Sequence, residues 1–292
     1  MIYTIENEFV KVQINSMGAE LWSIFNKQDG LEHLWQGDKS IWPRRAPNLF
    51  PHCGKLKGDQ FIHNGVSYKS TLHGFARDYE HVVVQQDVKS ITFFFPENEK
   101  TLEIYPFKFH LYTRFQLDRH ILTQSFNVKN TGEKEMYFSI GFHTGYRCPF
   151  DDKHSILDYS IVFDQEETPL ELLCNKEGLL NGVEKVYFEN QKVIHLNDKL
   201  FPSSFILSGL KSGHVSLVEA DTGKYIKICI KDFPYTVFWS TPGKVKFVCV
   251  EPWYGLPDLY DTKGRLDKKP CIQKLLSGKG FSCAQTIEIG SQ

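Results

Sequence analysis

Hydrophobic and polar residues alternate with a period of two along much of this chain. Val10, Val12 and Ile14 are separated by Lys11, Gln13 and Asn15. Phe109, Leu111, Thr113, Phe115 and Leu117 alternate with His110, Tyr112, Arg114 and Gln116. After a turn at Asp118-Arg119-His120 the pattern resumes at Leu122, Gln124, Phe126 and Val128, which predicts a hairpin with one buried face. Met136, Phe138, Ile140 and Phe142 predict a further strand, with Tyr137, Ser139, Gly141 and His143 on its other face. Ile226, Ile228 and Ile230 predict another, and Val245, Phe247 and Cys249 lead into Glu251 at a strand end. Asn130-Thr131-Gly132, Asp221-Thr222-Gly223 and Thr241-Pro242-Gly243 supply turns. Helical spacing is confined to Ile272, Leu275 and Leu276, closed by Gly278, which predicts one short helix. Such a pattern predicts an all-β chain folded as a large antiparallel β-sandwich. With no internal repeat, low-complexity tract or Pro/Ser linker, residues 1–292 read as a single domain.

Composition narrows the function classes. The 292 residues are 41% hydrophobic, enough for a large core, and 14% aromatic, which suits both β-structure and contact with sugar C–H faces. Acidic and basic residues number 35 and 34 and are mixed along the chain, so no basic stripe argues for nucleic acid. Seven cysteines without a CxxC pair indicate neither a disulfide framework nor a zinc ribbon, and a reducing, cytoplasmic setting is expected. The N-terminal run from Met1 to Glu8 lacks the pattern of a signal peptide, and no apolar stretch approaches a membrane span of ~20 residues.

The candidate chemistry lies in three segments. Thr71-Leu72-His73-Gly74-Phe75-Ala76-Arg77-Asp78 crowds a histidine, an arginine and a carboxylate into one run, which suggests the floor of a polar pocket. Gly141-Phe142-His143-Thr144 offers a second imidazole, with Gly141 leaving room for a close approach. A lone histidine on a sheet face is most simply a hydrogen-bonded structural residue. Cys249-Val250-Glu251-Pro252-Trp253 ends an apolar strand on a carboxylate. Partial desolvation there raises its pKa and makes it a better base, whereas a Lys or Arg neighbour would make it a plain ion pair; the residues alone leave both open. Arg77 offers a rigid fork of donors, or pairs with Asp78 or Glu80. Trp239 and Trp253, taken singly, read as core. No Walker loop, GxGxxG or HExxH occurs, and no cysteine stands out as a nucleophile.

Taken together, these segments resemble the aldose 1-epimerase (galactose mutarotase) family, and within it the branch associated with bacterial lactose operons. The resemblance runs through Gly18-Ala19-Glu20-Leu21, Leu34-Trp35-Gln36-Gly37-Asp38, Ala46-Pro47-Asn48-Leu49-Phe50-Pro51 and Gly54-Lys55-Leu56-Lys57-Gly58. It continues through His73-Gly74-Phe75-Ala76-Arg77, Gly141-Phe142-His143 and Glu251-Pro252-Trp253-Tyr254-Gly255-Leu256-Pro257-Asp258. The resemblance implies a single β-sandwich with Glu251 as general base and His143 as general acid. His73, Arg77, Lys55, Ser204 and Trp239 would contact the sugar, with no cofactor and no metal. It implies a small sugar as partner, no nucleic acid or membrane, and a monomer or weak homodimer.

Thr144 stands where the family often has proline, and Ser204 where mutarotases carry a sugar-binding aspartate. Lys55 is nearest to their sugar-binding arginine. Hexose-6-phosphate 1-epimerases share the His-Gly-Phe-Ala-Arg run, with Leu72 here in place of their glutamine. By that likeness Arg77, with Arg44, Arg45 and Arg147 nearby, would hold phosphate. A non-catalytic sugar sensor on the same scaffold is the third expectation.

Overall fold

The alternating runs at 109–117 and 122–128 form the expected hairpin, Phe109–Asp118 against Ile121–Asn130 in register from Ile121 opposite Asp118 to Asn130 opposite Phe109. The computed structural model describes residues 1–291. This hairpin sits inside a nine-stranded antiparallel sheet. Its strands, from one edge, are Gln191–His195, Tyr159–Glu167, His214–Glu219, Lys224–Cys229, Gly280–Ser291, the hairpin, Ser90–Pro96 and Val82–Gln86.

A seven-stranded sheet packs against it. Phe247–Tyr254 is followed by Tyr235–Trp239, Phe205–Ser208, Leu170–Cys174 and Leu180–Val186, while Ile140–Gly141 and Thr144–Arg147 both pair with the other side of Phe247–Tyr254. Phe205, Leu207, Phe238, Val248 and Val250 from this sheet meet Ile161, Leu217, Ile226, Ile228 and Ile287 of the larger one, forming the core of the sandwich. A four-stranded sheet from the N-terminal residues, Ile2–Glu6 through Leu31–Glu32, adds Ile5, Val12, Ile14 and Leu21 to the same cluster. Apolar burial of this extent, worth roughly 1.5–3 kcal/mol for each large side chain, drives the assembly.

Three expectations need correction. The short helix at 272–278 is not formed: Gln273–Leu275 is a strand paired with Met136–Phe138. Three apolar residues are too few to offset the costly first helical turn, whereas Met136–Phe138 offers a ladder at once. The α-helix that does form, Glu99–Ile104, is started by a capping box in which the Asn98 side chain accepts from the Thr101 N–H. The strand expected over 136–143 is broken into Met136–Phe138 and Ile140–Gly141, and both of its faces are buried. Glu251, finally, is not at a strand end. It lies within Phe247–Tyr254, which is buried on both faces and therefore reads as a continuous apolar run.

Candidate active site

Pro252 has no N–H to donate, so the ladder on one side of its strand must fail there. The neighbouring chain breaks at that point. Gly141 pairs with Trp253 and Thr144 with Val250; between them the Phe142 N–H still donates to the Pro252 carbonyl at 3.1 Å, but the Phe142 carbonyl, with no Pro252 N–H to meet, accepts from the Trp253 indole. The register is unchanged across the gap, so His143 stands opposite Glu251. Residues directly opposed on antiparallel strands project to the same face. The His143 Nε2 accordingly lies 3.5 Å from the Glu251 Oε2.

Register also builds the floor of the site. Glu251 is opposite Val237, Val237 opposite Ile206, and Ile206 opposite Leu172. This row crosses four strands on the face turned away from the sandwich core. Together with Trp239, Trp253 and the loops above, it lines a cleft of about 960 Å³. Carboxylate and imidazole therefore sit at one end of an apolar strip that a sugar C–H face can cover.

Both groups are buried, Glu251 to 1% and His143 to 8% exposure. The Glu251 Oε2 and the His143 Nδ1 have no hydrogen-bond partner. Burial pushes the Glu251 carboxyl well above the usual range, against a smaller lowering from the Trp253 side chain. Burial, reinforced by the Arg77 charge, pulls His143 down to about 3. Both shifts favour the neutral forms, so the pair shares one proton between two touching groups. Trp42 stacks on the His143 ring at 5.2 Å and Trp239 meets it edge-on at 5.8 Å, fixing its plane.

His73 reaches the same place from a loop. Its backbone takes a left-handed φ of 65°, uncommon for a residue with a side chain and frequent where function constrains the chain. Its ring lies 5.2 Å from His143 and 5.6 Å from Trp253. Its Nδ1 accepts the Gly54 N–H at 3.1 Å. A neutral imidazole has one donor and one acceptor, so the His73 proton belongs on Nε2. Burial, then the charges of His143, Arg77 and Arg44, hold its pKa well below the ordinary value. His73 is therefore a neutral donor.

Residues 1–265 match the family model for aldose 1-epimerase. The chain belongs to the aldose 1-epimerase family. It is 34% identical to the plasmid-encoded LacX protein of Lactococcus lactis subsp. lactis over 285 residues, 94% of this chain and 95% of that one. Among solved structures, the galactose mutarotase related enzyme of Lactobacillus acidophilus superposes with a TM-score of 0.95 at 32% identity, covering 100% of this chain and 98% of that one. A galactose mutarotase-like protein from Lactobacillus casei ATCC 334 gives 0.91 at 31% identity, covering 99% and 100%.

The cleft gathers every site residue expected from the sequence: Glu251, His143, His73, Arg77, Lys55, Ser204 and Trp239 all line it. Of the additional arginines, Arg44 lines the cleft and donates to Asp78 at 2.6 Å. Arg45 instead lies 4.0 Å over the Trp22 ring, and Arg147 pairs with Asp152. Arg77 donates to the Leu72 carbonyl at 2.6 Å, and burial brings its pKa down to about 10. Gly141 does not make room for a ligand: a Cβ there would lie 2.5 Å from the Trp253 Cδ1, so it is the indole that needs the space. Sequence reasoning passed over Trp42, which carries no local signal because its contact with His143 spans about a hundred residues of chain.

Two clusters could hold a cation. His143, Cys249 and Glu251 bring nitrogen, sulfur and oxygen atoms within 4.8 Å of one another, a donor set suited to zinc. In the second, the His154 Nδ1 lies 2.8 Å from both Asp151 and Glu219, and the hydrogen bond to Asp151 pushes its pKa up. Among the described residues no helix is long and apolar enough to cross a membrane.

Proposed function

We propose that this epimerase-family protein is a mutarotase that interconverts the α and β anomers of a free hexose by opening its ring. The observation that carries the reading is the buried cross-strand contact of 3.5 Å between Glu251 and His143 at the floor of the cleft. An acid and a base side by side can serve the two oxygens bonded to one anomeric carbon.

Before a sugar binds, the shared proton rests on the carboxyl, because burial penalises both charged forms. Sugar hydroxyls that donate to Glu251 favour its carboxylate, and the proton passes to His143 with no change in net charge. Glu251 then takes the proton of the anomeric hydroxyl. The C1–O1 bond becomes a carbonyl, the C1–O5 bond breaks, and O5 takes the proton from the His143 imidazolium. Rotation about C1–C2 presents the other carbonyl face. Reclosure returns the O5 proton to His143 and the Glu251 proton to O1. His73 donates its Nε2–H to a sugar oxygen throughout.

A second reading rests on the guanidinium charge of Arg44 and Arg77, both of which meet the carboxylate of Asp78 at the cleft rim. That charge suits a hexose 6-phosphate. Polarimetry on freshly dissolved α-glucose, α-galactose and the α-anomer of glucose 6-phosphate tests both. Acceleration of a free sugar supports the first reading. Acceleration confined to the phosphate, and abolished in Arg77→Ala, replaces it with the second. Binding without acceleration of either makes the protein a sugar sensor.

A further inference from the structure

The hydrogen bond that sets the His73 tautomer comes from a backbone N–H, and that backbone is held by groups outside the cleft chemistry. Gly54 and His73 exchange two hydrogen bonds: the His73 N–H donates to the Gly54 carbonyl at 3.0 Å, and the Gly54 N–H donates to Nδ1 at 3.1 Å. Gly54 is wedged against the segment that follows Glu251, since a Cβ on it would lie 2.5 Å from the Pro257 Cγ. The next residue of that segment clamps the loop on both sides. The Asp258 N–H donates to the Lys55 carbonyl at 2.9 Å, and the Asp258 Oδ2 accepts the Lys57 N–H at 3.0 Å. The remaining oxygen, Oδ1, accepts from the Lys269 ammonium at 2.7 Å. Both side chains of this pair are almost wholly buried.

A buried ion pair is weak evidence for stability, because desolvating two charges offsets most of their attraction. What it does supply is geometry. Two hydrogen bonds from Asp258 hold the loop that carries the Gly54 N–H, while Asp258 is itself held by Lys269 and by the Leu180 N–H, which donates to its carbonyl at 2.8 Å. Lys269 in turn is set by the turn Leu266–Lys268, whose Leu266 is anchored in the aromatic core beside Phe61 and Tyr105. The path from core to ligand is therefore continuous: Lys269, Asp258, the 54–57 backbone, His73 Nδ1, and the proton on Nε2 facing the cleft.

We propose that the buried Asp258–Lys269 ion pair positions His73, acting through the backbone of residues 54–57 to hold the His73 proton on Nε2. Asp258 and Lys269 are positioning residues, and the sugar is not expected to touch them. The kinetic part of the inference rests on the mutarotase reading; the tautomer part does not.

Two variants probe the path from different ends. Asp258→Asn removes the charge inside the core. Lys57→Pro deletes one clamp donor from an exposed position and leaves the ion pair intact. Leu56 is already extended, at φ −95° and ψ 144°, as a residue before proline must be. In two-bond proton–nitrogen correlation spectra of the imidazole rings, with the His73 signals assigned by their loss in His73→Gln, the wild type is expected to show an acceptor-type Nδ1 and a protonated Nε2. Both variants are expected to move these two shifts toward each other. Their kcat/KM for the sugar is expected to fall by roughly tenfold to a hundredfold, the scale of a small misplacement at a reacting centre. In a His73→Gln background neither substitution should cost a comparable further factor.

Unchanged His73 ring shifts in folded Lys57→Pro and Asp258→Asn overturn the proposal. So does an undiminished kinetic loss in the His73→Gln background. If the wild type accelerates no sugar and yet the variants shift the tautomer, the mutarotase reading fails and the positioning role stands.

Discussion

Glu251→Gln separates what the carboxyl does for chemistry from what it does to stability. Glutamine keeps the shape and removes the base. Loss of a positioned general base lowers rates by about 10²–10⁴-fold, or ~3–5 kcal/mol of barrier. The stability effect has the opposite sign and depends on pH. In the unfolded chain the carboxyl ionises at its ordinary 4.5, whereas burial raises the folded value well above that. Between the two, the folded state binds more protons than the unfolded one. Wild-type stability therefore falls as pH rises through this window, by up to ~1.4 kcal/mol per pH unit, and levels off once the folded carboxyl ionises. The Glu251 Oε2 has no hydrogen-bond partner to soften the loss. Glutamine is neutral throughout and lacks this slope. Urea unfolding of both proteins at pH steps upward from 4.5 is expected to show the variant gaining on the wild type for as long as the folded carboxyl stays protonated, while polarimetry shows its activity collapsing. A stability difference that stays flat with pH would refute the buried-carboxyl argument, and activity within tenfold of wild type would remove Glu251 from the role of base.

His143 gives the mirror image. Its folded pKa is lowered from 6.5 to about 3, so the unfolded state binds the extra proton and stability falls as pH drops through that interval, by at most ~5 kcal/mol. His143→Gln is expected to lose less stability than wild type between those pH values in urea titrations, although His52 and His81, also depressed by burial, leave both proteins acid-sensitive. Gly141→Ala forces a Cβ to 2.5 Å from the Trp253 ring and 3.2 Å from the Cys53 Sγ. A destabilisation of about 1–3 kcal/mol is expected, together with a raised KM as the indole moves into the cleft, measured by urea unfolding and initial rates.

Much of the fold was legible because strand alternation is a local property. The run from Phe109 to Val128 specifies its own hairpin, since a short turn brings the second half back in a single register. The segment around Ile272 shows where local reading ends. Its apolar residues are too few to carry a helix, and the choice was made by an open partner at Met136–Phe138, well over a hundred residues away. Candidate site residues could be named because a histidine and a carboxylate interrupt apolar runs, but only likeness to a family chose functional roles for them over structural ones. Their geometry was not legible.

The sequence by itself determined that the chain is β-rich and that an imidazole and a carboxylate stand in or beside apolar strand patterns, and it carried the likeness to the aldose 1-epimerases. Tertiary structure decided which of these groups touch. His143 faces Glu251 because Pro252 cannot donate, the neighbouring strand breaks opposite it, and the register on both sides of the break is the same. His73 presents its proton because Gly54, held by Asp258 and Lys269, occupies its other nitrogen. Alternation specifies which way a side chain points. Only the packing of distant strands and loops specifies what it points at, because register and contact are properties of pairs of segments and not of either one.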